Sequence, residues 1–384
     1  METPWIEDAQ LSRALLHNEA FWRGELEDHP LVWITVPEAR PGRAITKPAT
    51  EGELWTNVDY VLEAAEDRLS RSRYLGDALP VFTPWLGPDQ FAAWLGADLV
   101  LKPAEYNTSW VTPFVQDWAN HPEFHIDPQN RWWMLYLETV RRSAEQGRGK
   151  WITGYPDLHT GIDALSAIRG AENLNMDLIA DPDSIRRAMR QMTDLWKSVI
   201  DTVSDIVLPA GQGTSNWTLG WSADRFLCIG QNDFSCMISP GMFREFCWED
   251  NYECCDHADW SMYHLDGPGA VRHLTLLFEI QKLHCIQWIP GAGAPPPSRW
   301  LDLLRRIQQA GKTVQVWPLL NCTEDTLCDE TEILCSALDP ARLFINVDVT
   351  SVDLAEEILK IVRRVCKERR PVRLAHPPRS SLRD

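Results

Sequence analysis

Eight short runs rich in β-branched and aromatic residues punctuate this chain, and segments of helical period separate them, which leaves few architectures open. The runs fall at 31–36, 98–102, 151–155, 226–231, 261–265, 285–289, 313–317 and 343–347. Amphipathic segments lie between them at 58–73, 131–145, 182–203, 240–255, 269–281, 299–309 and 351–367. Two open on clear start signals, Asp181-Pro182 and Ser239-Pro240, each an N-cap side chain before a proline at the first helical position. From the fourth run onward the spacing is roughly 25 to 35 residues, enough for a strand, a crossover helix and two turns. The pattern predicts an α/β fold, a (β/α)8 TIM barrel. With 384 residues and 44% hydrophobic content, one domain over 1–384 is expected, with an N-terminal helical extension over about 1–30 and a basic C-terminal tail over about 368–384. Long loops at 38–56 and 105–130 are placed to build or cover a site.

Parallel strands meet ligands at their carboxyl ends, so polar residues ending an apolar run point to chemistry. The fourth run ends in Gln231 and Asp233, the fifth in Tyr263, His264 and Asp266, the sixth in Gln287 and Trp288, and the eighth in Asp348. Asp117-Trp118 comes from the long loop after the second run, and Trp217 lies just before the fourth. His264 and Asp266 are two apart and therefore share a face. Of Gln287 and Trp288, one faces the barrel and the other the helices. Carboxylates, an imidazole and amides under tryptophans make poor core, because an unpaired buried charge is costly. They make good active-site material. On this reading His264, Asp266 and Asp233 are catalytic, and Gln231, Gln287, Trp288, Asp117, Trp118, Trp217 and Tyr263 contact substrate. For His264 a structural hydrogen bond in the barrel mouth stays open, and Asp233 is equally suited to cap the helix that follows.

Charge narrows the partners. A formal net charge of −18 opposes nucleic acid and anionic membranes, since phosphate recognition needs clustered Lys and Arg. The expected partner is a small molecule, with a homodimer as a further possibility. The opening Met1-Glu-Thr-Pro-Trp lacks the basic start and apolar middle of a signal peptide, and no apolar run reaches membrane-spanning length. A cytoplasmic location is expected. The ten cysteines, all between Cys228 and Cys366, read as reduced thiols without zinc-knuckle spacing.

One stretch carries a family resemblance. Ile238-Ser-Pro-Gly-Met-Phe-Arg-Glu-Phe246 resembles the helix start "ISPEMFREF" of the uroporphyrinogen decarboxylase and corrinoid methyltransferase superfamily, and about twenty residues later a strand ends in His264 and Gly267. The resemblance implies a barrel of the uroporphyrinogen decarboxylase type, related to cobalamin-independent methionine synthase. In the methyltransferase branch that strand ends His-x-Cys-Gly, and the histidine and cysteine bind zinc with a further cysteine near the last strand. Here Asp266 stands at the cysteine position. Such a set, His264 and Asp266 with Asp348, suits a harder ion or a zinc of higher Lewis acidity than thiolate ligands would give. The candidate cofactor is a divalent metal, zinc or a harder ion. The decarboxylase branch carries an arginine-rich stretch near the first strand that grips the tetrapyrrole's carboxylates. This chain reads Val32-Trp-Ile-Thr-Val-Pro-Glu38 there, which argues against porphyrinogen. The leading expectation is an enzyme of lyase type, decarboxylase-like, acting on a small polar molecule. The alternatives are a metal-dependent methyltransferase and a non-catalytic small-molecule binder on the same scaffold.

Overall fold

The computed structural model describes residues 1–27, 29–39 and 41–368. The predicted basic tail therefore lies, except for its first residue, outside the described residues. Among the described residues eleven strands form: β1 Leu31–Pro37, β2 Ser72–Gly76, β3 Val81–Phe82, β4 Asp98–Lys102, β5 Thr108–Thr112, β6 Ile152–Thr153, β7 Phe226–Gly230, β8 Trp260–Asp266, β9 Cys285–Ile289, β10 Thr313–Val316 and β11 Leu343–Asp348. The main sheet runs β2-β1-β11-β10-β9-β8-β7. Its pairs from β1 through β11 to β7 are all parallel, while β2 folds back antiparallel on β1. A second parallel pair joins β3 to β6, and the ladder continues as a single bridge from Tyr155 to Asn216. These six strands and the β3–β6 pair make up the parallel staves of a (β/α)8 barrel, and helices such as Pro182–Val207 and Val352–Glu368 cover the outside.

The second stave departs from the sequence expectation. Residues 98–102 form β4, which pairs antiparallel with β5 in a separate hairpin where alternate side chains face solvent. The true second stave is β3, with only two ladder residues between Pro80 and Pro84. So short a strand has no β-branched run to betray it. Close approach of backbones tightens this part of the wall: a Cβ on Gly154 would come within 2.5 Å of the Thr83 hydroxyl.

Two ends of the barrel are built differently. At the end where strands begin, Leu31, Trp33, Phe226, Met262, Cys285 and Phe344 form one apolar cluster with Leu11, Phe21 and Trp22 of the N-terminal helix Asp8–Arg23. That helix closes the barrel floor. The Trp22 indole donates to the Trp221 carbonyl (2.8 Å), and buried Asn18 donates to the Ala14 and Asp77 carbonyls while accepting from the Trp33 indole and the Trp221 amide. At the other end the strands run out into polar residues. No disulfide forms among the described residues, and no helix there is long and apolar enough to cross a membrane.

Candidate functional site

Strand alternation sorts the rim. Along β8, Tyr263 and Leu265 face the helix layer and are buried in the main core, so His264 and Asp266 share the inward face. Tyr263 does not join the inward cluster. The same rule sorts β9: Gln287 lies inward and fully buried, directly opposite His264 in the register, while Trp288 turns outward against Trp300, ring centroids 5.1 Å apart.

A chain of amides then fixes His264. The Thr218 carbonyl can only accept, so Gln315 presents its NH2 there (2.7 Å) and its Oε1 toward β9. That oxygen accepts from Gln287 Nε2 (2.6 Å), which turns Gln287 Oε1 toward His264 Nδ1 at 2.5 Å. Nδ1 must therefore carry a proton, so in the neutral ring the lone pair sits on Nε2. A backbone carbonyl selects the tautomer of a histidine three side chains away. Trp217 meets the imidazole edge-on at 5.0 Å and is itself met by Trp317 at 6.5 Å.

Asp233 arrives through a turn that most residues avoid. Asn232, two residues past the end of β7, has φ of 46°, in the left-handed region where asparagine is tolerated, and its side chain bonds Asn251. The turn aims the Asp233 and Phe234 amides at the two oxygens of Asp163, each 2.9 Å away. Asp233 makes no side-chain cap of its own; Ser239 caps the helix Pro240–Phe246. One Asp233 oxygen is buried without a hydrogen-bond partner. Ligand atoms of Asp233, His264 and Asp266 lie within 4.8 Å of one another. Asp348 does not belong to this trio: it ends β11 exposed, beside Thr35.

A second group of acids extends the site. The loop after β6 brings Asp157 and His159, and His159 Nδ1 lies 3.3 Å from Asp89. Gln231 donates to Asp157, so this predicted site residue orients a carboxylate. Burial, helped by Asp163, pushes Asp233 up to about 6, against the pull of His264 and His159. Burial likewise pushes Asp157 up to about 6, with Asp233 and Asp89 adding to it. Burial also raises Asp163. For His159, burial works against the cation, yet Asp89 and the charges of Asp163, Asp157 and Asp233 push the imidazole up to about 10. A cleft of about 340 Å3, lined by Asp89, His159, Asp163, Ser166, Asp233 and Phe234, opens here. A larger hollow of about 810 Å3 lies between the N-terminal segment and the last helix, but its wall mixes surface charges of both signs, such as Arg13, Arg73, Glu356 and Lys360. Asp233 joins the smaller one to the rim trio, and His159, Asp89 and Asp163 line it beside that carboxylate.

Sequence reading overlooked Asp89, Asp157, His159 and Asp163. One signal was present: Asp157-Leu-His159 directly follows the third stave and repeats, in reverse, the spacing of His264-Leu-Asp266. Asp117 and Trp118 stand apart from the rim. The Trp118 indole donates to Asp177 (2.7 Å), which also takes Arg169, and Asp117 accepts from the Ala119 amide within its own loop. They pin the loop down.

Comparison with known proteins bears on the fold. No protein-family model matches the chain, and no curated protein matches it in sequence. Among solved structures it is similar to a methyltransferase from Methanosarcina mazei, with TM-score 0.60, 13% identity, and coverage of 91% of this chain and 98% of that one. A B12-independent methionine synthase from Shewanella, in complex with selenomethionine, also aligns, with TM-score 0.45, 8% identity, and coverage of 89% of this chain and 97% of that one. At such identity the first match speaks to architecture alone. In fold, this chain is a (β/α)8 barrel similar to that of the Methanosarcina methyltransferase.

Proposed function

We propose that this chain is a methyltransferase that holds a divalent cation on Asp233, His264 and Asp266 and acts on a small polar or cationic molecule. The observation that carries the proposal is the convergence of one ring nitrogen and two carboxylates from adjacent strand ends within 4.8 Å. The donor set fits a cation on two further grounds. His264 is held in the tautomer that leaves Nε2 unprotonated, and Asp233 keeps a buried oxygen without a partner. One nitrogen and two oxygens suit zinc or a harder ion rather than a soft, thiolate-type site. A cation bound there would lower the pKa of a coordinated thiol, hydroxyl or water and so favour a nucleophile at neutral pH.

The chain's own residues do the rest. Gln287 and Gln315 orient the imidazole. Trp217 walls the ring from one side. His159, pushed up to about 10, stays protonated at neutral pH and offsets part of the acid cluster, while Asp89 and Asp163 line the cleft as acceptors for a positively charged group. The lyase expectation fits this site poorly. Gripping a substrate carboxylate calls for a free cation, and His159, which lines the cleft, is already paired with Asp89 and surrounded by further carboxylates. The fold of the Methanosarcina methyltransferase supports the methyl-transfer reading as analogy.

The test starts from metal-stripped protein, loaded in turn with zinc, cobalt and manganese. Each preparation is incubated with methylcobalamin and a panel of small thiols and amines. We expect metal-dependent loss of the methylcobalamin spectrum with at least one acceptor, together with metal binding that disappears in Asp266→Ala. Carbon dioxide release from carboxylated compounds without any methyl transfer would restore the lyase reading.

A further inference from the structure

A second set of converging donors lies at the opposite end of the barrel. We infer that His17, His29 and Asp77 form a binding site for a divalent transition metal that staples the N-terminal helix to the barrel floor. Their ligand atoms also lie within 4.8 Å of one another. They come from three separate elements: His17 from the helix Asp8–Arg23, His29 from the loop entering β1, and Asp77 from the turn after β2.

Each donor is prepared for a cation. His29 Nδ1 contacts the Pro30 carbonyl at 3.0 Å, and a carbonyl can only accept, so Nδ1 carries the proton and Nε2 keeps a lone pair. Asp77 is anchored to β1: its Oδ2 accepts from the Val32 amide (2.9 Å) and its own amide donates to the Val32 carbonyl (2.7 Å). That leaves Oδ1, which lies 2.9 Å from His17 Nδ1. The contact is close but not aligned as a hydrogen bond, and His17 Nδ1 is buried without a hydrogen-bond partner. Two donor atoms that approach so closely without bonding are spaced like neighbouring ligands of one ion, which at metal–ligand distances of about 2.0–2.2 Å stand roughly 3 Å apart.

An ion pair between His17 and Asp77 is the plainer explanation of the 2.9 Å contact. It leaves two features without a cause: the contact is not aligned as a hydrogen bond, and the second imidazole, tilted against the first with centroids 4.4 Å apart, takes no part in it. Two neutral imidazoles sharing a cation account for both. Two nitrogens and one oxygen select zinc, cobalt or nickel over calcium or magnesium. A hollow of about 80 Å3 beside His29 and Asp77 leaves room for water or a small anion as fourth ligand, and Arg13 and Arg363 on its wall favour the anion. Those arginines also weaken the site, so micromolar rather than nanomolar affinity is expected. Bound metal would join the helix, the β1 entrance and the β2 turn, and therefore add to stability.

The experiment uses the full chain carrying His264→Ala, which silences the rim donors. Zinc is titrated by calorimetry, bound metal is counted by elemental analysis after gel filtration, and Tm is read with zinc and with EDTA. We expect one equivalent of zinc and a Tm several degrees higher with metal. Adding His29→Gln should abolish both while moving the metal-free Tm little. His17→Gln is an independent second removal, and His29→Cys, which supplies a thiolate, should keep the metal. Absence of zinc binding at roughly 100 µM metal, or an equivalent retained in both glutamine variants, overturns the inference.

Discussion

The two ends of this barrel are made by the same parallel strands and obey opposite rules. At the floor, strand starts such as Leu31, Phe226, Met262 and Phe344 pack against Phe21 and Trp22 of the N-terminal helix, and polar groups there find partners, as Asn18 does. At the rim, strand ends carry Asp233, His264 and Asp266, and burial leaves Asp233 at about 6 with one oxygen unpartnered. The floor is where stability resides. The rim spends some of that stability to keep charged groups crowded and available, a pattern expected of a functional site.

That contrast can be broken most forcefully at the floor. Phe344→Ala removes a fully buried ring shared by β11 and the N-terminal helix, and should cost about 3–5 kcal/mol of stability in urea unfolding. Rim metal affinity in the folded fraction should stay as it was. A parallel loss of both would mean that the two ends are not separable.

His264→Ala is the reverse experiment. The side chain ends a strand without filling core, so its stability cost should stay near ~1 kcal/mol. Turnover, or rim metal affinity, should fall at least ~100-fold. Thermal melting and metal titration on one preparation check both halves, and a variant that melts far lower with affinity intact would assign His264 a structural role.

Gln315→Met is a finer probe, since Gln315 touches none of the three donors. It removes the amide that reads the Thr218 carbonyl, so Gln287 is free to flip and His264 loses its fixed tautomer. Rim metal affinity should drop about tenfold, as for other loosened outer partners of a ligand histidine. The variant separates orientation from ligation: unchanged affinity would mean that the tautomer is set elsewhere.

The smallest effect expected is that of pH. Protons compete with the cation for Asp233, whose pKa of about 6 makes affinity through this group fall roughly fourfold between pH 7 and pH 5.5. Stability of the metal-free protein moves the other way. Because the folded pKa values of Asp157 and Asp233 lie above the ordinary carboxylate value, the fold favours their protonated forms. Their contribution is fully present below about pH 4 and is lost as pH rises through about 6. Denaturant titrations across that window should show the decline, and Asp157→Asn should flatten it.

By itself the sequence determined the staves that are long enough to carry a pattern. Runs such as Leu343–Asp348 and Cys285–Ile289 are apolar over their whole length, and the Ser239-Pro240 cap announces its helix, so local chemistry suffices there. Alternation also foretold that His264 and Asp266 share a face. What the sequence left undecided depends on distance along the chain. The two-residue stave Val81–Phe82 exists only because Ile152–Thr153 lies beside it. Asp163 is drawn to the rim by amides 70 residues later, and Asp89 by a histidine on another loop. Asp348, named with His264 and Asp266 from the sequence, is displaced from that trio by Asp233 because the left-handed turn at Asn232 swings Asp233 inward. The convergence of His17 with Asp77 is likewise decided by packing of a helix under the barrel. A strand's periodicity is a property of neighbours in the chain. A site's composition is a property of neighbours in space, and closure of the barrel alone decides which those are.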